Sequence, residues 1–390
     1  MTKEPWDEWL PGVLSKTQVK TLIQDGFIRD TDESLLDYSS IDLRLADEAY
    51  VLNTCVKPFG RNFVRELVRQ GLATKLPEPA DGIYSLQRRR SYVFRIKERI
   101  PEFNGTPIYG SATAKSSVGR MDVLARLIVD GMHEYEGFIP EGAKGGDMFL
   151  EVTPMTFNVR VKVGTALTQL RLFKGPQRDS LIQGETLLST VFQTHEPGAA
   201  TLSVDLRPDR ISELEVSALS AEQPKADGDS YVDLWKKPEN ERPRPWEYWR
   251  FERTDGNGRL RIKTDRFYII RSREKIHLPK GIAVYCRASD ETIGEMRIHY
   301  AGFVHPFFGA QRPDGTRGTP LIFEVRGHDI DVSLMDGEKM ARLEFYRMSE
   351  DAEKEAAGSY DAQTLQLSKF FGEWPTEATV DRDGRVTPKQ

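Results

Sequence analysis

LEVTPMTFNVRVKVGTALTQLRLF, residues 150–173, is written again as FEVRGHDIDVSLMDGEKMARLEFY, residues 323–346, without a gap. Glu151, Val152, Val159, Gly164 and Leu170 recur as Glu324, Val325, Val332, Gly337 and Leu343, and Val161 becomes Leu334. Each copy alternates apolar and polar residues, turns at a glycine and closes on an apolar run. Successive strand side chains point to opposite faces, so the pattern predicts two antiparallel strands with one face in a core.

Two further echoes flank this one. SSIDLRL, residues 39–45, returns as LSVDLR, residues 202–207, and RSYVFRIKERI, residues 90–100, aligns with DRFYIIRSREKI, residues 265–276. The three pairs keep their order while the offset drifts, as it does when a domain is duplicated and its loops then change length. The expected organisation is a first unit over residues 1–193, a diverged second unit over 194–372 and a loose tail over 373–390.

At 390 residues the chain is long enough for two full cores. A net charge of -5 and a pI near 5.9 exclude nucleic-acid binding by general electrostatic attraction and leave room for a local basic pocket. Cys55 and Cys286, the two cysteines, can build neither a disulfide framework nor a cysteine-based zinc cluster within one chain. The sequence shows no apolar run approaching membrane-spanning length and no secretory leader, so no membrane partner and a cytoplasmic location are expected.

Ser15 and Gln18 form a capping box ahead of an apolar stripe at Val19, Leu22 and Ile23, which predicts a helix stopping at Gly26. A second helix is expected over residues 62–71, with Phe63, Val64, Leu67 and Val68 inward. The remainder reads as short strands between Gly, Pro, Asn and Asp turns, giving an all-β barrel or jelly roll with short helices. Trp235, Trp246 and Trp249 are read as core or interface packing.

ATAKSSVGRMDV, residues 112–123, is the stretch richest in chemistry. Two hydroxyls, a glycine, a Lys and an Arg on a strand-to-turn segment offer O–H, backbone N–H and guanidinium donors to a polyphosphate. A serine-rich turn with solvated charges would have the same letters.

The order and spacing of LSKTQVKTLIQDGFI, SSIDLRL, AKSSVGR, the strand carrying LEV and the LTQLRLF strand resemble the dCTP deaminases of the dUTPase superfamily. The resemblance implies a duplicated β-clip fold of distorted jelly-roll type, sites shared between neighbouring units, and zinc-independent conversion of dCTP to dUTP and ammonia with Mg²⁺ on the triphosphate. It also implies a homo-oligomer, with three chains supplying six units. Ser116, Ser117 and Arg120 match the family's Ser-Ser-x-x-Arg segment, with Lys115 where Arg is usual. Ser116 is expected beside the reacting amino group and water, and Lys115, Ser117 and Arg120 around the phosphates. Glu151 or Glu324 matches the catalytic glutamate, which takes a proton from the attacking water and returns protons to the ring and the departing amine.

The two copies have diverged in complementary ways. RASDETIG, residues 287–294, sets Ala288 opposite Ser116 and Thr292 opposite Arg120, so this copy has lost a hydroxyl and a guanidinium. AGFVHPFFG, residues 301–309, follows the family's base-reading segment from Ala301, with His305 where Asp is usual, whereas the first half has MHEYEGFIPEGAKGG. A composite site would combine the first-half clamp with Glu324, and self-contained sites would use Glu151; the better-kept base-reading segment favours Glu324. GSYDAQTLQLSKFFG resembles the family's nucleotide-closing tail and nominates Tyr360 and Lys369. Zinc deaminases need a His or Cys ligand near a Glu and a Pro-Cys-x-x-Cys pair. His133, His195, His277, His299, His305 and His328 supply no such spacing. A dUTP pyrophosphatase, a bifunctional enzyme and a non-catalytic nucleotide-binding regulator are the alternative readings.

Overall fold

A computed structural model describes residues 4–389 apart from 102, 143–145, 194–195, 197–198, 225–229, 290–295, 300–301, 311–316 and 355–362, and apart from the side chains of 297–300. Two ten-stranded curled sheets dominate it. In the first, Met148–Pro154 runs antiparallel between Val123–Val129 and Tyr92–Ile96, and Ala166–Lys174 between Ser40–Leu52 and Ile108–Ala114. In the second, Thr319–Gly327 pairs with Met296–His299 and Phe267–Ile276, and Lys339–Arg347 with Thr201–Asp205 and Ile282–Ala288. The pairing scheme is duplicated along with the sequence.

The anchoring stretch holds three strands per copy where two were expected, and they do not pair with one another. Asn158–Lys162 leaves the large sheet to pair with Ile83–Leu86, and Val332–Met335 likewise pairs with Arg259–Ile262. Alternation reports which side chains face inward; it does not report which neighbour a strand will take. The turn glycines behave alike, Gly164 at φ +84° and Gly337 at φ +85°, a left-handed conformation that any Cβ would strain.

The first helix, α1 (Lys16–Gln24), carries the expected capping box between Ser15 and Gln18. Gln18 also donates to Ser349 at 2.9 Å, tying this first-half helix to the end of a second-half strand. The second, α2 (Phe63–Arg69), buries Phe63, Val64 and Leu67. Val68 departs from expectation and is 44% exposed, because the helix is short and seats only one narrow face.

The halves are interlocked. Phe173 and Tyr346, equivalent positions of the repeat, meet edge to face at 5.8 Å, beside buried Val13, Tyr285, Phe303 and Met348. Tyr231–Asp233 of the second half adds a parallel strand to first-half Asn158–Lys162. Fully buried Trp249 packs against Phe157, Phe267 and Phe371, drawing residues from both halves into one core, while Trp246 packs half-buried against it. The tail is not loose: Ala378–Val380 and Val386–Pro388 form a hairpin, with Ala378 and Val386 buried in that core. Its sequence is polar because few of its side chains turn inward, Ala378 and Val386 with Val380 partly buried beside them, which is why composition reads as disorder. Among the described residues no helix is long and apolar enough to cross a membrane.

Candidate active site at the junction of the halves

The strand Ile108–Ala114 ends at Lys115, whose carbonyl accepts the N–H groups of Val118 at 2.8 Å and Gly119 at 3.0 Å. One helical turn results, α3 (Ser116–Gly119), anchored by wholly buried Val118. Ser116 is exposed, whereas Ser117 and Arg120 are buried. The chain then reverses at Asp122, held at φ +55°.

This turn lies against Glu324. The backbone of Gly119 comes so close to that carboxyl that a Cβ built on it would stand 2.9 Å from the carboxyl carbon. Glu324 is 5% exposed, and burial raises its carboxyl well above the ordinary glutamate range, with Asp122 adding to the shift and Arg120 opposing it. Burial and the nearby Glu324 push the Cys286 thiol up to about 12, so that thiol stays protonated. Two residues along the same strand face, Arg326 crosses back to ion-pair with Asp122, whose same oxygen accepts from Thr156 at 2.6 Å. The buried pair fixes α3 against the strand that carries Glu324.

Glu151 occupies the equivalent strand position in a different setting. Arg126 ion-pairs with its carboxyl and stacks 4.2 Å from the ring centroid of Tyr135, whose hydroxyl lies 3.0 Å from the carboxyl and from the Val56 carbonyl. The sheet face around it, with Phe149, Val93 and Ile128, is covered by Phe63, Val64 and Leu67 of α2. Register sharpens the contrast: Arg126 stands opposite Glu151, and the backbone of His299 stands opposite Glu324.

Basic groups gather at the other end of α3. Lys115 ion-pairs with Asp42 of the SSIDLRL phrase. Lys369 is exposed, yet the surrounding protein and the neighbouring charge of Lys115 hold its ammonium below the usual lysine range. His305 contacts Ser39 at 3.2 Å and lies 3.7 Å from Asp37; burial lowers its pKa to about 4, so it is neutral at neutral pH. The closing tail packs over the turn: Arg120 donates to the Gln366 carbonyl at 2.8 Å and to the Gln363 side chain, and Ser368 donates to the Ser117 carbonyl at 2.6 Å.

Lys115, Ser116, Ser117, Arg120, Glu324, His305 and Lys369 therefore belong to one neighbourhood, and Glu151 lies apart from it. Ala301, Tyr360 and Thr292 fall outside the described residues. Asp42, Asp122, Arg326 and Gln363 were not singled out by sequence. Asp42 had a signal, since the repeated Asp-Leu-Arg phrase marks it; its counterpart Asp205 instead pairs with Arg207 and Arg271. Among the described residues no three His, Cys, Asp or Glu side chains converge as metal ligands.

Comparison with known proteins gives the chemistry a family. Residues 10–176 match the 2'-deoxycytidine 5'-triphosphate deaminase N-terminal domain, and residues 176–371 match the C-terminal domain of the same enzyme. A search of curated proteins found no match. Among solved structures, a 2'-deoxycytidine 5'-triphosphate deaminase from Agrobacterium tumefaciens is 27% identical and superposes with a TM-score of 0.75, over 88% of this chain and 97% of that one. With both domain matches in sequence and together spanning most of the chain, this protein belongs to the dCTP deaminase family.

Proposed function

We propose that this family member deaminates dCTP at one composite site per chain, without zinc, using Glu324 as the proton-transfer group and the first-half turn as the clamp. The observation that carries this reading is the contact between Gly119 and Glu324, which places the two better-kept parts of the duplicated motif side by side. A carboxyl whose pKa is raised by burial suits a group that must both accept and return protons near neutral pH. Glu151, tied to Arg126 and Tyr135, lacks that freedom.

In the reaction, water adds to C4 of the cytosine ring while Glu324 takes its proton and passes it to N3. The second proton of the former water leaves through the same carboxyl to the amino group, the C4–N bond breaks, and dUTP and ammonia depart. Ser116, exposed at the start of α3, orients the water and the amine. Lys115 and Lys369 meet the triphosphate. The Asp42 carboxylate beside them is held by Lys115, and Mg²⁺ bound to the triphosphate would neutralise phosphate charge there.

Incubation of the pure protein, dialysed against a zinc-selective chelator, with dCTP and Mg²⁺ tests this directly. dUTP and ammonia in equal amounts are expected. Activity that returns only with zinc would overturn the zinc-free mechanism, and pyrophosphate without ammonia would replace deamination with pyrophosphatase chemistry.

A further inference from the structure

A cleft of about 490 Å³ opens where first-half residues 88–89 and 155–158 meet second-half residues 221–224 and 264–266, with Arg326 at its wall. None of Lys115, Ser116, Ser117, Arg120 or Glu324 lines it. Four guanidinium groups do, those of Arg88, Arg89, Arg266 and Arg326, against only two carboxylates. Both carboxylates are already answered: Glu222 by Arg250 at 3.3 Å, and Asp265 by Arg89 at 3.2 Å and Arg326 at 3.3 Å.

The positive groups are held in place. Arg326 is 2% exposed and answered by the buried Asp122 carboxylate, so it forms the rigid wall of the cleft, and Arg88, Arg89 and Arg266 supply the donors at its mouth. The Arg88 backbone N–H is fixed by Asn158 at 2.9 Å, while its side chain stays exposed. Arg89 sits at φ +61°, which aims the chain sharply at this point. Arg266 makes only long contacts, to Ser220 at 3.5 Å and Glu252 at 3.8 Å, leaving most of its donor fork to the cleft. Planar forks converging from two sides suit phosphate oxygens, and the volume lies in the range of small-molecule sites.

We propose that this cleft is a second anion site, separate from the deamination site, that takes a phosphate-bearing small molecule carrying at least two negative charges. It does not rest on the role given to Glu324, because the readout is binding rather than turnover.

Calorimetric titration of the full chain with inorganic pyrophosphate, and separately with ATP, tests it against an Arg88→Ala/Arg266→Gln variant and an Arg88→Glu variant. The wild type is expected to bind at least one of these probes in an event that both variants lose or weaken at least tenfold, with dCTP turnover unchanged. Arg88→Glu alters an exposed side chain, so it covers the case in which the double variant fails to fold. Binding of ATP would identify a nucleotide as the source of the phosphates, and binding of pyrophosphate alone a free inorganic species. No binding of either probe by the wild type, or binding undiminished in folded variants, would overturn the proposal.

Discussion

Gly119 and Glu324 are neighbours in space although more than half the chain separates them: the glycine backbone covers the carboxyl, with no room for a side chain between. The residue is helical and needs no special φ, so its smallness serves the approach alone.

Gly119→Ala therefore tests the composite site. The new methyl meets the Glu324 carboxyl and must push it or α3 aside, an overpacking strain of roughly 1–3 kcal/mol. Displacement of the reacting groups by even part of an ångström is expected to lower kcat on the order of a hundredfold. Steady-state kinetics beside a thermal melt check it; a folded variant with wild-type kcat would show that the contact is irrelevant to turnover.

Conservative replacement separates the two glutamates. Glu324→Gln is expected to abolish ammonia release while dCTP still binds in calorimetry. Glu151→Gln should keep turnover within about threefold and lower stability by roughly 1–3 kcal/mol, because a buried charged hydrogen-bond network loses its carboxylate. Full activity in Glu324→Gln with none in Glu151→Gln would assign the chemistry to the first half.

The raised carboxyl makes a signed prediction about pH. Glu324 titrates well above 4.5 in the folded chain, so between that value and its folded pKa the native state binds more protons than the unfolded one. Stability contributed by this group is then present at low pH and lost as pH rises through the folded pKa. Glu324→Gln removes the ionisation and should melt above the wild type at neutral pH, with the gap shrinking toward pH 4.5. Asp122, raised to about 6 by burial, acts in the same direction and persists in both proteins. A gap that widens on acidification would contradict the assignment.

Arg120 links the clamp to the closing tail. Arg120→Ala removes donors to Gln366 and Gln363, and is expected to raise KM for dCTP on the order of tenfold or more. It should also expose the 363–371 segment to limited proteolysis. Cleavage at the wild-type rate would show that the tail is held by its other contacts, Gln363 to Pro320, Ser368 to Ser117 and the buried Leu365, Leu367, Phe370 and Phe371.

Much of this arrangement can be read from letters, and the rest cannot for identifiable reasons. The duplication, the turns at Gly164 and Gly337 and the capping box of α1 depend on local pattern, and local pattern is what a sequence displays. Lys115 and Ser116 stand out because a clamp needs consecutive donors. Asp122 and Arg326 give no such signal: each looks like a solvated charge until the fold brings them together, even though Asp122 lies inside the quoted clamp stretch. His299 was accessible in principle, since carrying the repeat's register from Arg126 leads to it, but register is meaningful only once strand partners are known. The polar 378–388 hairpin stayed hidden because Ala378, Val380 and Val386, spread over two short strands, are too few to make a periodicity.

The covering of the sheet face around Glu151 by α2 has a consequence for how many sites one chain can complete. The α3 turn of the first half is received by the second-half strand that carries Glu324, a contact between unlike faces of the two halves. In the first unit the receiving face is already filled by Phe63, Val64 and Leu67 of its own chain. A turn set against Glu151 as α3 is set against Glu324 would first have to unseat α2.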